Sequence, residues 1–96
     1  MSDKEEVTRC SICGREPVGD DFPRLVCRRC DAMALNDAAR PAWSAEDGSR
    51  GDNPVFIQGR PCWRRYAPGG WVTMLDVHNC RDFYEFCRRN DLSCPE

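Results

Sequence analysis

Two cysteine pairs constrain this chain more than any other feature of its sequence. Cys10 with Cys13 and Cys27 with Cys30 give the pattern C-x2-C-x13-C-x2-C. A C-x2-C step folded as a tight turn, called a knuckle below, directs two thiolates at one point, and two knuckles about 15 residues apart close a tetrahedral site. Gly14 suits the first knuckle because glycine adopts positive φ without steric cost. The pattern therefore predicts one zinc ion bound by four cysteines.

Other uses of paired cysteines are weighed against zinc. Eight cysteines in 96 residues would suit a secreted disulfide scaffold. The charged residues 1–6 lead to no apolar signal-peptide core, so a reducing, cytoplasmic setting is expected. A thioredoxin-like redox site needs a pair that opens a helix within a much longer unit. Four thiolates also suit iron in a rubredoxin-like site, but Asp31 rather than glycine follows the second pair, which favours zinc.

The residues around the second pair indicate the type of zinc site. Residues 22–26 are expected to form a short strand, and residues 31–40 are rich in helix formers and are followed by Pro41. A knuckle, a short hairpin and a second pair that opens a helix resemble treble-clef zinc fingers, with the plain zinc ribbon as the nearest alternative. The resemblance covers residues 10–40. It implies a fold rather than a function, because treble clefs bind DNA, RNA or proteins or act as scaffolds.

The second half of the chain predicts a three-stranded antiparallel β-meander with one C-terminal helix. Strands are expected at residues 55–58, 62–67 and 71–76, with a two-residue turn at Gly59-Arg60 and a type II turn at 67–70. The helix is expected to begin at Asn79 as its N-cap and to bury an apolar stripe. The whole chain is predicted to be a small α+β, metal-stabilised protein with a flexible N-terminus (1–9), a zinc-binding module (10–40), a linker (41–54) and a β-meander plus helix (55–96).

One hairpin of the meander interleaves cations with aromatic rings. Alternation along a strand places two adjacent arginines on opposite faces, so at least one is expected to face solvent. Such a surface suits a protein interface, where Trp, Tyr and Arg concentrate binding energy, or a nucleic acid, through phosphate contacts and base stacking. In the third interpretation the rings belong to the core and the arginines are solvated. The residues predicted to bind a partner are Trp63, Arg64, Arg65, Tyr66 and Trp71.

The two halves of the chain differ in net charge, and this difference bears on the kind of partner to be expected. Residues 1–54 hold 8 basic and 11 acidic side chains, whereas residues 55–89 hold 6 basic and 3 acidic ones. An anion-binding surface is therefore expected in the second half. The net charge of −2 counts against non-specific nucleic-acid binding, so a protein is the predicted partner and nucleic acid the alternative. No apolar run reaches 18 residues, and no membrane contact or small-molecule substrate is expected.

The remaining cysteines and the single histidine raise the question of a second metal site. Cys80 and Cys87 would lie about 10.5 Å apart along one helix, which is too far to share a tetrahedral ion easily. Buried free thiols are expected instead, and His78 is expected in a turn or cap. With one histidine and no phosphate loop or HExxH motif, no enzymatic activity is expected. The residues whose second-site role stays open are Cys62, His78, Cys80, Cys87 and Cys94.

Overall fold

A three-stranded antiparallel sheet with strand order β1-β2-β3 forms the centre of the protein. The computed structural model describes residues 8–19, 22–67 and 70–92. The predicted meander and C-terminal helix are confirmed. Most of the predicted N-terminus, residues 1–7, lies outside the described residues. The elements in chain order are α1 (Arg28–Asp31), β1 (Val55–Ile57), β2 (Arg60–Ala67), β3 (Gly70–Leu75) and α2 (Phe83–Arg89).

The turn between β1 and β2 differs by one residue from the sequence prediction. Ile57 pairs with Arg60, so the two central residues are Gln58 and Gly59 rather than Gly59 and Arg60. Their φ angles of 53° and 77° are both positive, as the type I′ hairpin turn requires. The turn predicted between β2 and β3 is centred on Pro68 and Gly69, which lie outside the described residues.

Side chains of the sheet alternate between two buried faces. We call one face the metal-side face, because the cysteines of the two knuckles pack against it. On this face, Cys62 pairs with Leu75 next to Val55 of β1. On the helix-side face, Trp63 pairs with Met74. Each face has its own apolar cluster, so the sheet is the middle layer of three and α2 covers only the helix-side face.

The helix-side layer is built around Trp63 and Phe86, whose ring centroids lie 6.2 Å apart. Trp63 is 4% exposed, and its indole nitrogen donates to the Asp76 carboxylate at 3.0 Å. The same carboxylate accepts the backbone N–H groups of His78 and Cys80, both at 2.8 Å. Burial raises the pKa of the Asp76 carboxyl, but these hydrogen bonds outweigh burial and hold it below its usual value. Asp76 thus fixes both the central ring and the turn that leads to α2.

The helix α2 begins later than the sequence suggests. Its N-cap is Asp82, whose side chain accepts the N–H of Glu85 at 2.8 Å. Asn79, the predicted N-cap, lies in the preceding turn with φ of 56°, so this prediction is wrong. Both residue types cap helices well. The hydrogen bonds of Asp76 keep the backbone non-helical through Cys80, so the N-cap is Asp82 rather than Asn79.

The segment that carries the second cysteine pair crosses the metal-side face from one edge of the sheet to the other. At the β3 edge, Leu25 forms a bridge with Met74, flanked by two backbone hydrogen bonds of 2.9 Å. At the β1 edge, the backbones of Leu35 and Phe56 exchange hydrogen bonds of 2.7 and 2.8 Å. Both edges of the sheet are therefore paired with backbone from this segment, which leaves less open edge for another chain.

The helix predicted over residues 31–40 is wrong. The structure has only the four-residue α1, Arg28–Asp31, and the chain leaves helical geometry to pair Leu35 with Phe56. The Asn36 side chain then accepts the N–H groups of Ala38 and Arg40 at 2.9 and 3.0 Å. Asparagine offers the backbone such local alternatives to a helix. The treble-clef type of the module stays a prediction.

Residues 44–51, within the predicted linker, form a loop that lies against the β2-β3 hairpin. A bridge between Ser44 and Gly51 closes the loop, and the Trp71 indole donates to the carbonyl of Ala45 at 2.6 Å. A Cβ added at Gly48 would lie 2.4 Å from atoms of the Tyr66 ring. Only glycine therefore allows this close approach. We refer to residues 44–51 as the hairpin loop.

Arg64 connects three parts of the structure from a buried position on β2. Its guanidinium donates to the Asp31 carboxylate at 2.8 Å, to the Ser44 hydroxyl at 2.9 Å and to the Thr73 hydroxyl at 3.3 Å. The Thr73 hydroxyl donates in turn to Asp31 at 2.6 Å. Arg64 is 7% exposed, so its charge depends on Asp31. Of the two adjacent arginines of β2, Arg64 is therefore buried rather than exposed to solvent.

Replacing Arg64 by Ala should lower the free energy of unfolding by about 2 to 3 kcal/mol. Removing one partner of a buried ion pair costs about 3 to 5 kcal/mol, and the loss is smaller here because the Asp31 side chain is 35% exposed. Arg60→Ala, at the exposed start of the same strand, is the matched control and should leave stability close to that of the native protein. Urea unfolding of both variants measures the difference. Equal stability of the two would show that the Arg64 network contributes nothing.

Candidate metal centre

The four cysteines predicted as ligands come together in one cluster. The Sγ atoms of Cys10, Cys13, Cys27 and Cys30 all lie within 4.8 Å of one another. Cys13 Sγ and Cys27 Sγ are 3.9 Å apart. A tetrahedral ion with metal–sulfur bonds of about 2.3 Å places its ligands about 3.8 Å apart. The cluster therefore has the dimensions of a four-thiolate metal site.

The first knuckle, residues 10–14, surrounds the Cys10 sulfur with backbone donors. The N–H groups of Ile12 and Cys13 point at it from 3.3 and 3.5 Å. Gly14 closes the turn by donating to the Cys10 carbonyl at 2.9 Å, with φ of 70°. Hydrogen bonds from N–H groups favour the ionised form of a thiol. The role expected of Gly14 is thus the one observed.

The second knuckle, residues 27–31, uses α1 to orient its two sulfurs. Cys27 is the N-cap with extended backbone, and Cys30 lies three residues on, within the helical turn. Residues three apart share one face of a helix, so both sulfurs point the same way. The N–H of Cys27 also donates to Cys10 Sγ at 3.2 Å. This hydrogen bond joins the two knuckles directly.

The sulfurs differ in their affinity for protons. Burial raises the pKa of the Cys10 thiol, but hydrogen bonds from Cys27, Cys13 and Ile12 together lower it to about 6. Burial, reinforced by the neighbouring sulfurs, raises the pKa of Cys30 to about 12. Four thiolates at this separation repel one another, and a cation among them removes the repulsion and releases the remaining protons. The donor set fits a soft divalent ion such as zinc or iron.

The other candidate ligands do not join a second cluster within the described residues. The four ligand cysteines are the only group of three or more His, Cys, Asp or Glu side chains found close enough to share an ion there. Cys62 and Cys87 are fully buried, and burial raises the pKa of Cys62 to about 12. His78 is exposed in the turn held by Asp76. Cys94 lies outside the described residues.

The structure divides the five residues predicted to bind a partner. Trp63 and Arg64 are 4% and 7% exposed and belong to the interior. Tyr66 is 45% exposed and meets the half-buried Trp71 edge to face, with centroids 5.5 Å apart. Arg65 is half-buried, with its guanidinium carbon 5.8 Å from the Phe22 ring centroid. Only Arg65, Tyr66 and Trp71 therefore present surface.

A groove forms where these three residues meet the hairpin loop. The sequence did not predict the other side of this groove, the hairpin loop, whose composition is typical of a linker. The available signal was the glycines at positions 48 and 51, because Gly48 lies against the Tyr66 ring and Gly51 against Ser44, too close for a side chain. We call this the loop groove. It is lined by Gly48, Ser49, Arg50, Gly51, Asn53, Arg64, Arg65, Tyr66, Trp71 and Phe83.

Comparison with known proteins gives no relative for this arrangement. No family model, no curated protein and no solved structure matches the chain. Among the described residues, the helices are too short and too polar to cross a membrane. Evidence on function therefore rests on the cysteine cluster and on the surfaces that surround it.

Purified protein should contain about one divalent metal ion per chain. The four sulfurs already have the spacing of a tetrahedral site, and binding supplies folding free energy directly. Elemental analysis of freshly purified, reduced protein measures the metal and its identity. A content near zero would contradict the assignment, and a content near two would require a second site.

Cys27→Ser should lose the metal and unfold the knuckles, whereas Cys87→Ser should keep it. Cys27 supplies a ligand, and its N–H joins the knuckles. Cys87 is equally buried but lies in α2, outside the cluster, so serine there costs only packing and polarity, about 1 to 3 kcal/mol. Metal content and circular dichroism of both variants decide the point. Metal loss from Cys87→Ser would show that the ligand set is wrong.

Proposed function

We propose that this is a zinc-binding protein in which the ion holds together a protein-docking module. One observation carries the proposal: the ligand cysteines are part of the apolar core on the metal-side face of the sheet. Cys10, Cys27 and Cys30 are at most 5% exposed and pack in one cluster with Val55, Ile57, Cys62 and Leu75. An ion placed there would stabilise the packing of the knuckles against the whole sheet. Zinc is preferred over iron because closed four-cysteine sites are its usual structural setting.

The absence of an open ligand position favours a binding role over catalysis. Four thiolates complete a tetrahedron, so substrate would have no place on the ion. A cytoplasmic, reducing location is part of the proposal, supported by thiols that are grouped as metal ligands. The treble-clef type is retained only as a proposal about the knuckles, since the helix that begins in the second knuckle is four residues long.

The metal centre is connected to the loop groove by a short series of contacts. Asp31 follows the ligand Cys30 directly and binds the Arg64 guanidinium. Arg64 donates to Ser44, where the hairpin loop begins. Loss of the ion would release the second knuckle and, with it, the position of Asp31. In this proposal the metal therefore controls the shape of the groove. Binding or loss of the ion would regulate docking in this way.

A protein suits the loop groove better than a nucleic acid does. Nucleic-acid bases stack on open aromatic faces. The Tyr66 ring is covered on one side by Gly48, and the Trp71 indole N–H is bonded to the Ala45 carbonyl. Glu46 and Asp47 in the hairpin loop would oppose a phosphate backbone. Nucleic acid remains the alternative, supported by the arginines of the groove.

The test compares two exposed tyrosines in a pull-down from host extract treated with nuclease. Tyr66, 45% exposed, lies in the loop groove, and Tyr84, 55% exposed, lies on α2. We expect the zinc-loaded protein and Tyr84→Ala to retain the same protein partner and Tyr66→Ala to lose it. Metal content and melting temperature of each variant provide the control for folding.

Two results would count against docking at this groove. Equal capture by both tyrosine variants would place the binding surface elsewhere. Loss of all capture after nuclease treatment, together with a steep fall in affinity with salt, would support the nucleic-acid alternative, because phosphate contacts release counterions. A protein interface centred on aromatic rings depends much less on salt.

A further inference from the structure

The four ligand cysteines differ in how far solvent reaches them. Cys13 is half-buried, whereas the other three are at most 5% exposed. Cys13 also lines a surface cleft beside the metal centre, which we call the metal cleft and whose polar side chains include Arg15, Glu16 and Gln58. Cys30 lines the same cleft but is 3% exposed. A small polar molecule in the metal cleft would therefore meet Cys13 before the other ligands.

A second sulfur lies within reach of Cys13 across the metal centre. Cys27 Sγ is 3.9 Å from Cys13 Sγ, so a small movement of the knuckles would bring the two to the ~2.05 Å of a disulfide bond. Cys10 is the competing partner, but its sulfur accepts the N–H groups of Ile12, Cys13 and Cys27 at distances of 3.2 to 3.5 Å. These hydrogen bonds lower its nucleophilicity and hold it in the first knuckle. Cys27 is thus the favoured partner of an oxidised Cys13.

The other described cysteines are poorer targets for an oxidant. Cys62 and Cys87 are fully buried. Cys80 is half-buried like Cys13, but burial raises the pKa of its thiol to about 11, so it keeps its proton at neutral pH. The thiolate is the form that reacts with oxidants, and a metal ligand such as Cys13 is bound as the thiolate. Solvent access and negative charge therefore coincide at Cys13.

We propose that Cys13 is a site of oxidation by hydrogen peroxide, which enters through the metal cleft, and that Cys13 then forms a disulfide with Cys27 and the metal ion is released. This inference rests on the metal site of the proposed function and specifies how that function is regulated. Release of the ion would free the second knuckle and, with it, Asp31, which holds Arg64 beside the loop groove.

The oxidation has two steps. In the first, the Cys13 thiolate attacks one oxygen of the peroxide, so that an S–O bond forms, the O–O bond breaks and the departing hydroxide takes a proton from solvent to become water. In the second, the Cys27 thiolate attacks the Cys13 sulfur, so that the S–S bond forms, the S–O bond breaks and a second hydroxide becomes water. The two sulfurs together lose two electrons, which the peroxide gains. Two of the four ligand thiolates then remain, too few for a closed tetrahedral site.

The experiment exposes zinc-loaded protein to hydrogen peroxide and follows the released zinc with a chromogenic chelator. Disulfides are mapped by mass spectrometry of proteolytic fragments, and a parallel sample contains dimedone, which traps sulfenic acids. We expect release of about one zinc per chain, a disulfide between Cys13 and Cys27, and dimedone on Cys13. Reduction with dithiothreitol followed by addition of zinc should restore the metal content.

Two variants identify the reactive thiol. Cys13→His keeps a common type of four-ligand zinc site, with three cysteines and one histidine, but removes the accessible thiolate. It should release zinc at least about tenfold more slowly than the native protein, because the remaining ligands are buried and susceptibility follows exposure. Cys80→Ser, the matched control, removes a half-buried thiol outside the metal centre and should release zinc as the native protein does.

Failure of this inference can be told apart from failure of the metal site. Protein that contains no metal before peroxide is added would contradict the site itself. Zinc-loaded protein that keeps its ion in peroxide, or Cys13→His that releases zinc at the native rate, would overturn the role of Cys13. A disulfide between Cys13 and any cysteine other than Cys27 would overturn the role of Cys27. The disulfide map of the native protein decides these roles even where Cys13→His fails to bind zinc.

Discussion

The packing of four cysteine sulfurs in one cluster beneath one face of a three-stranded sheet is the constraint on which this structure depends. Among residues 8–19, 22–67 and 70–92, the largest side chains fully removed from water are Phe86, Ile57, Met74, Val55, Cys62 and Cys87. A core of this size supplies little stability to a chain of 96 residues. Structural zinc contributes about 10 to 16 kcal/mol in small zinc-finger peptides, whereas whole domains are stable by about 5 to 15 kcal/mol. An ion at this position would therefore decide whether the fold forms.

The path of the second knuckle explains how one ion acts on the entire sheet. Leu25 pairs with β3 at one edge and Leu35 pairs with β1 at the other, and the knuckle lies between them. Fixing the knuckle fixes both edges and also the carboxylate of Asp31, which holds Arg64. Stability, edge protection and the shape of the loop groove thus have a common origin. Arg64 carries this influence to Ser44, where the hairpin loop begins.

Sequence reasoning succeeded where the physical cause is local and failed where it lies far along the chain. The spacing of the cysteines, the glycine of the first knuckle and the alternation of β2 are local, and the cluster and the meander follow from them. The helix over 31–40 had good propensity, but pairing of Leu35 with Phe56, 21 residues away, outweighs propensity. Asn79 and Asp82 are equivalent caps in sequence, and only the hydrogen bonds of Asp76 distinguish them. Nothing in the sequence near Arg64 indicates its partner, because Asp31 is 33 residues earlier.

The two adjacent arginines of β2 show how alternation turns one sequence motif into two roles. Arg64 points to the metal-side layer, where a carboxylate and two hydroxyls take up its donors. Arg65 points to the other side and stays partly accessible beside Phe22. A cluster of cations and rings in a sequence therefore overstates the size of a binding surface, since both faces of a strand in the middle layer of a three-layer protein are largely covered. What remains at the surface borders the loop groove, to which the hairpin loop adds Arg50 from outside the strand. In the proposed docking function, recognition depends on this loop, whose position an ion at the metal centre would help to hold.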